Sequence, residues 1–191
     1  MAEIKEFTGY HGTSKENAAK IIESKFLPSE NHDDWLGYGV YFFIEGISCP
    51  IKNAKEWAIN QAWNKQNRTH KYSHYSIVKT IVNVSEERLL DLTTSIGLEG
   101  FNKVRDHIIT TYNNFFLKGR ESIDDDRKIC NMVISLMNVD VLINNLYIKN
   151  KIQRTKKINS NIPNVTVMLV ANHKECIDAS SISEVETGEI K

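Results

Sequence analysis

The sequence predicts an α+β domain in which two small antiparallel sheets with flanking helices part around a cleft. Three observations carry that expectation. Short β-rich runs alternate with helical ones in the first half, residues 98 to 138 read as mostly helical, and two apolar strand-like runs return near the end. No repeat and no linker interrupts the 191 residues, which hold three prolines, so a single domain is expected over 1–191, ending in a polar tail from about residue 180.

"EFTGYHG" opens as a strand and residues 14 to 25 follow as a helix, with Ala18, Ile21 and Ile22 at helical spacing. Thr13 and Glu16, three residues apart, fit a capping box at its start. "GVYFFI" is the second strand. It is entered through Gly37 and Gly39, where glycine permits a positive φ or a close backbone approach. "NAKEWAINQAWNKQ" puts Ala54, Trp57, Ala58 and Ala62 on one helical face. "YSIVKTIVNV" alternates and is β-branched, with "RLLDLT" continuing or pairing with it. "GFNKVRDHIITTYNNFFL" carries Val104, Ile108 and Tyr112 at helical spacing, and a break at "KGRESIDDDR" precedes a helix through "KICNMVISLM". "DVLINNLYI" and "NVTVMLVAN" read as late strands, "KNKIQRTKK" between them as a basic loop, and "SSISEVETGEIK" as the tail.

Lys plus Arg balances Asp plus Glu at 24 each, so no global field attracts a polyanion and any nucleic-acid contact must be local. No apolar run approaches the roughly 18 residues of a membrane span and the N-terminus lacks a signal-peptide core, which predicts a soluble cytoplasmic protein with no membrane partner. Cys49, Cys130 and Cys176 are an odd count without paired spacing, so neither a disulfide frame nor a zinc site is expected. His32, Asp33 and Asp34 are adjacent on a turn and cannot easily converge on one ion, and His70 and His74 lack a third ligand. No metal is expected. No cysteine neighbours a histidine that could activate it, which leaves nucleophilic thiol chemistry unsupported.

Two motifs remain: "YHGT" at residues 10 to 13, and "GYGVYF" at 37 to 42, within "DDWLGYGVYFF" and followed by Ala54, Trp57 and Ala58. In this order, with a helix ending in "KFLPS" between them, they resemble the ADP-ribosyltransferase superfamily in its poly(ADP-ribose)-polymerase-like and diphtheria-toxin-like branch. The likeness covers roughly residues 8 to 62, with weaker support from the late strands. It implies the split-sheet fold of that family and NAD as a substrate, cleaved with release of nicotinamide. By the same resemblance His11 hydrogen-bonds the adenosine ribose and the Gly12 backbone grips the nicotinamide carboxamide. Tyr41 stacks on the nicotinamide ring, Thr13 or Ser14 contacts a ribose hydroxyl, Asn53 stands near the amide, and Trp57 forms a second aromatic wall or serves as ordinary core.

The family's third motif is a glutamate on a late strand. Setting "ECID" against it makes Glu175 the catalytic acid; aligning the apolar run "VTVMLVA" instead puts Val167 or Met168 there and supplies no acid. Glu121 is another carboxylate that could reach the site. The small bacterial members resembled are toxins or phage-defence effectors, some of them mRNA-modifying, which implies a macromolecular acceptor and a neutralising antitoxin or chaperone as partner. Lys149, Lys151, Arg154, Lys156 and Lys157 form one basic segment, and Lys65, Arg68 and Lys71 lie beside Tyr72 and Tyr75 in another. Each suits a solvated loop; together they tilt the expected acceptor toward RNA over protein or DNA. Two other readings are NAD hydrolysis with water as acceptor, and a module that binds NAD or ADP-ribose without turnover.

Overall fold

The computed structural model describes residues 2–29, 34–117 and 126–190. The chain runs β1 (Ile4–Ser14), α1 (Lys15–Ser24), β2 (Val40–Phe43), α2 (Pro50–Ala62), β3 (Trp63–Asn64), β4 (Thr69–His70), β5 (His74–Ser85), β6 (Leu89–Asp91), α3 (Ser95–Leu117), α4 (Asp126–Met137), β7 (Val141–Leu146), α5 (Lys151–Thr155), β8 (Val165–Val170), α6 (His173–Cys176) and β9 (Ile177–Glu189). The expected α+β class holds. The expected pair of small antiparallel sheets gives way to one mixed sheet of seven strands, ordered β6-β7-β8-β2-β1-β5-β9, plus a β3–β4 ribbon. Among the described strands only β6 and β7 run parallel; the other neighbours are antiparallel.

Apolar residues pack on both faces. Ala54, Ala58 and Ala62 of α2 join Phe101 and Ile108 of α3 and Val133 of α4 in one core, and Ala18 of α1 and Cys176 of α6 join Phe42, Val78, Val82 and Met168 in the other. The three alanines on α2 are fully buried, and their small size lets the helix backbone reach the sheet. A Cβ on Gly12 would stand 1.8 Å from the Ala54 carbonyl oxygen, so only glycine fits beneath α2.

The sheet is continuous through one rung. β1 pairs with β5 from Ile4 to Ser14, whereas β1 meets β2 only at Tyr10 and Phe43. Two backbone bonds set the phase of each strand. Glu86 N–H donates to Glu3 O, so odd residues of β1 turn their amides and carbonyls toward β5 and even residues turn theirs toward β2. Ile44 N–H donates to Thr166 O, so even residues of β2 serve β8 and Tyr41 and Phe43 face β1. Tyr10 and Phe43 are therefore a hydrogen-bonded pair. The next rung on one side, Gly12 with Tyr41, is not formed, and on the other side β2 has ended. The half-sheets part on both sides of Tyr10.

Three local expectations are corrected. Ser14 rather than Thr13 caps α1, accepting from Asn17 N–H at 3.1 Å, because the strand continues through Thr13. The basic segment contains a short helix, α5, closed by a capping box between Asn150 and Gln153. The supposed tail is the long edge strand β9. Its polar residues hid it, yet they bond along β5: Ser76 donates to Glu184 at 2.5 Å, Tyr75 to Glu186 at 2.7 Å, and Thr187 to the Tyr75 carbonyl at 2.8 Å, while Lys55 of α2 pairs with Glu186 at 2.7 Å. None of the three cysteines is in a disulfide. No helix among the described residues is long and apolar enough to cross a membrane.

Ending the chain after Ser180 strips β5 of its partner beside the buried Tyr75, Ser76 and Ile77. The shortened protein is expected to lose cooperative thermal unfolding followed by circular dichroism, whereas removal of a mere tail would leave the melting curve unchanged.

Candidate functional site

The gap beyond Tyr10 holds a cavity of about 620 Å³, in the size range of small-molecule sites. His11, Gly12, Tyr41 and Trp57, expected from the sequence to act together, all line it. Asp34, Trp35, Gln61 and Ile148 line it as well.

His11 closes the gap where the ladder stops. Its Nδ1 stands 2.9 Å from the Tyr41 carbonyl oxygen, which can only accept, so Nδ1 carries the proton and Nε2 offers a lone pair. The ring sits edge-on to Phe26 at 5.6 Å and Phe42 at 6.2 Å, and those two rings meet at 5.0 Å. Burial among them pulls the His11 pKa below its ordinary 6.5, while the bond to Tyr41 pulls the other way and is outweighed. Near neutral pH the imidazole is uncharged, with Nε2 as an acceptor.

Tyr41 is fixed at its far end. Its hydroxyl donates to Gly37 O at 2.6 Å and accepts from Leu36 N–H at 3.0 Å. Burial raises its pKa well above the ordinary 10, so the phenol stays neutral. These bonds tie the strand to the turn before it. Gly37 has φ 104° and Gly39 φ 156°, positive values that are one of the two alternatives the sequence leaves open for these glycines. Asn131 of α4 braces the turn by accepting from Tyr38 N–H at 2.8 Å, and a Cβ on Gly37 would meet that same oxygen at 2.4 Å. Trp57 faces Trp35 across the mouth, with ring centroids 5.7 Å apart.

Gly12 contributes backbone. As an even residue of β1 it turns its amide and carbonyl edge toward the cavity, where β2 forms no reciprocal pair with it. The cavity thus combines a peptide edge, an aromatic ring, a neutral imidazole acceptor and, from Asp34, a carboxylate, the one acidic residue that lines it among the described residues.

No family model matches this chain. It is 38% identical over 95 residues to an uncharacterized protein of Methanocaldococcus jannaschii; the match covers 49% of this chain and 40% of that relative's length. No solved structure matches.

Other expected site residues lie elsewhere. Ser14 points its oxygen at the α1 amide it caps, and Thr13 does not line the cavity. Asn53 bonds to Ser48, its Nδ2 donating at 2.8 Å, in a neighbouring pocket of about 270 Å³ that shares Phe43, Trp57 and Ile148 with the main cavity. Glu175 is exposed on α6, accepting from Asn172 at 3.2 Å on the side of Arg88 and Asp140, and does not line the cavity. Val167 lines the cavity and Met168 is buried in the opposite core. His32, Asp33 and Glu121 lie outside the described residues.

Lys149 and Arg154 of the basic segment border the smaller pocket, next to Trp57. Tyr72 and Tyr75 cannot stack on bases: the Tyr72 hydroxyl donates to Ala58 O at 2.5 Å, burial pushes its pKa up to about 12, and Tyr75 is in the core. No metal-sized cluster of ligands exists among the described residues. Burial pushes the Cys176 thiol up to about 11, away from nucleophilic use. Sequence reading missed Gln61 and Ile148, and weighed Asp34 only as a metal ligand. Gln61 follows Trp57 by one helical turn, the signal that could have found it.

Because the folded-state pKa of His11 lies below its unfolded value, the stabilisation from the neutral ring is present above pH 6.5 and is lost as pH falls from there toward the depressed value. His11→Asn keeps a donor for Tyr41 O but cannot titrate. Melting temperatures measured from pH 7.5 to 5 should show the wild type falling more steeply than the variant, with the bond itself worth about 1 kcal/mol at the upper end. Parallel pH profiles would refute a neutral His11.

Proposed function

We propose that the chain binds NAD in the cavity beside Tyr10 and transfers its ADP-ribose to a macromolecule, releasing nicotinamide. The observation that carries this reading is the meeting of Gly12's peptide edge, the Tyr41 ring and the His11 Nε2 lone pair around one cavity. A carboxamide has one donor and one acceptor group, matching a peptide edge. A nicotinamide ring stacks on an aromatic plane held at its hydroxyl, and a ribose hydroxyl donates to a neutral imidazole.

In the reaction the C1′–N bond breaks with its electron pair leaving on nicotinamide, and an acceptor oxygen or nitrogen forms the new bond at C1′ and loses its proton. Positive charge grows on the ribose meanwhile. On this reading Asp34 supplies the opposing charge, since Glu175 stands outside the cavity. The acceptor is taken to be RNA, on the support of Lys149 and Arg154 beside the adjoining pocket. A second reading, a module that holds NAD without turning it over, is favoured by Glu175's place on α6.

The test incubates the protein with NAD labelled on the adenylate phosphate, with total RNA, DNA and lysate in separate tubes, and follows label and free nicotinamide. The expected result is labelled RNA, abolished in Tyr41→Ala, unchanged in Glu175→Ala, and lowered about a hundredfold in Asp34→Asn. Nicotinamide released without labelled polymer would mean hydrolysis. Bound NAD without any release would leave the binding module.

A further inference from the structure

The sheet opens on the other side of Tyr10 too, and nothing in the reading above uses that opening. A slot of about 850 Å³ lies between β1 and the β7–β8 pair, bordered by Glu6, Thr8, Glu45, Asp91 and Asn145. The phase that turns Gly12 toward the first cavity turns the amides and carbonyls of Ile4, Glu6 and Thr8 toward this slot. β1 meets β2 only at Tyr10, so these groups form an unpaired strand edge inside a seven-stranded sheet. Unpaired edges template the addition of another strand.

The slot also has a sign. Its charged lining residues, Glu6, Glu45 and Asp91, are all acidic, and no lysine or arginine among the described residues lines it. The nearby Lys5 is engaged by Glu3 at 2.5 Å and Glu86 at 3.7 Å. Asp91 accepts from the Thr93 amide at 2.9 Å and hydroxyl at 2.7 Å.

We propose that the edge of β1 from Ile4 to Thr8 is a docking strand for an extended basic segment of a partner polypeptide, which pairs with β1 through main-chain hydrogen bonds and sets lysines or arginines against Glu6, Glu45 and Asp91. Main-chain pairing supplies affinity in such strand addition and the alternate side chains supply selection. The inference does not depend on the cavity on the other side of Tyr10 binding NAD.

Amide exchange measured on the full chain tests it, with an acetylated, amidated Lys-Val-Lys-Val-Lys-Val peptide as probe and its Glu-Val counterpart as control. In the free protein the amides of Glu6 and Thr8 should exchange fast while those of Phe7 and Gly9, paired to β5, are protected. The lysine peptide should slow Glu6 and Thr8 about tenfold once its concentration is about ten times its Kd. The glutamate peptide should not, and a Glu6→Lys, Glu45→Lys double variant should lose the effect. Thr8→Pro removes one donor that β5 does not use, so it should keep the β5-paired amides protected and weaken the peptide. Unchanged exchange at millimolar peptide, or equal protection by both peptides, would reduce the slot to an edge blunted by charge and overturn the proposal. So would protection that rises with protein concentration alone, which would mark a second copy of the chain as the occupant.

Discussion

The structure depends on a single cross-strand rung, Tyr10 to Phe43, reinforced by the His11 imidazole reaching the Tyr41 carbonyl. Each neighbour of this junction is held firmly by something else: β1 by eleven rungs to β5, and β2 by four rungs to β8. Two half-sheets with their own pairing and twist meet along one short line, and they diverge where the line ends. Glycine seats β1 in this arrangement. A Cβ on Gly9 would press within 2.8 Å of the Phe42 ring and one on Gly12 would overlap the α2 backbone, so close packing takes over where ladder bonds are few. A side-chain bond from His11 then occupies the carbonyl that a full Gly12–Tyr41 rung would have used. Substituting either glycine would push the half-sheets apart or lift α2, at a cost of at least about 1–3 kcal/mol.

Much of this was legible in the sequence because its cause is local. β-branched alternation gave β5, alanines at helical spacing gave the buried face of α2, and the glycines of "GYGVYF", open to a positive φ or a close backbone approach, adopt positive φ. The convergence of His11 and Tyr41 followed from motif order, a signal that survives without knowing the sheet. What escaped is what depends on partners distant in sequence. β9 looks like a tail because its serines and glutamates satisfy groups on β5 some hundred residues earlier, Ser76 with Glu184 and Tyr75 with Glu186. Tyr72 and Tyr75 looked like stacking platforms beside lysines, yet both turn inward. One sheet or two was undecidable from the chain alone, since the difference is a single rung.

Glu175 shows why a motif's residue type cannot stand for its geometry. The apolar run "VTVMLV" is buried at every position as β8, and it carries the chain past the cavity before "KEC" begins. By then the backbone has turned into α6, whose buried Cys176 belongs to the core opposite the α2 face. The glutamate is left beside Arg88 and Asp140, outside the cavity.

The electrostatics of the cavity follow from that placement. His11 and Tyr41 are both held neutral, one by burial that depresses its pKa and the other by burial that raises it. Among the lining residues the formal charge is therefore that of Asp34, which stands at the hydroxyl end of Tyr41, close enough to oppose ionisation of the phenol. Neutral groups can grip an amide and a sugar hydroxyl without desolvating ions, so on the proposed reading binding and charge stabilisation are separable. On that reading, binding draws on the Gly12 edge, the Tyr41 ring and His11. Charge stabilisation during bond breaking then falls, on the same proposed reading, to Asp34, because His11 and Tyr41 are held neutral.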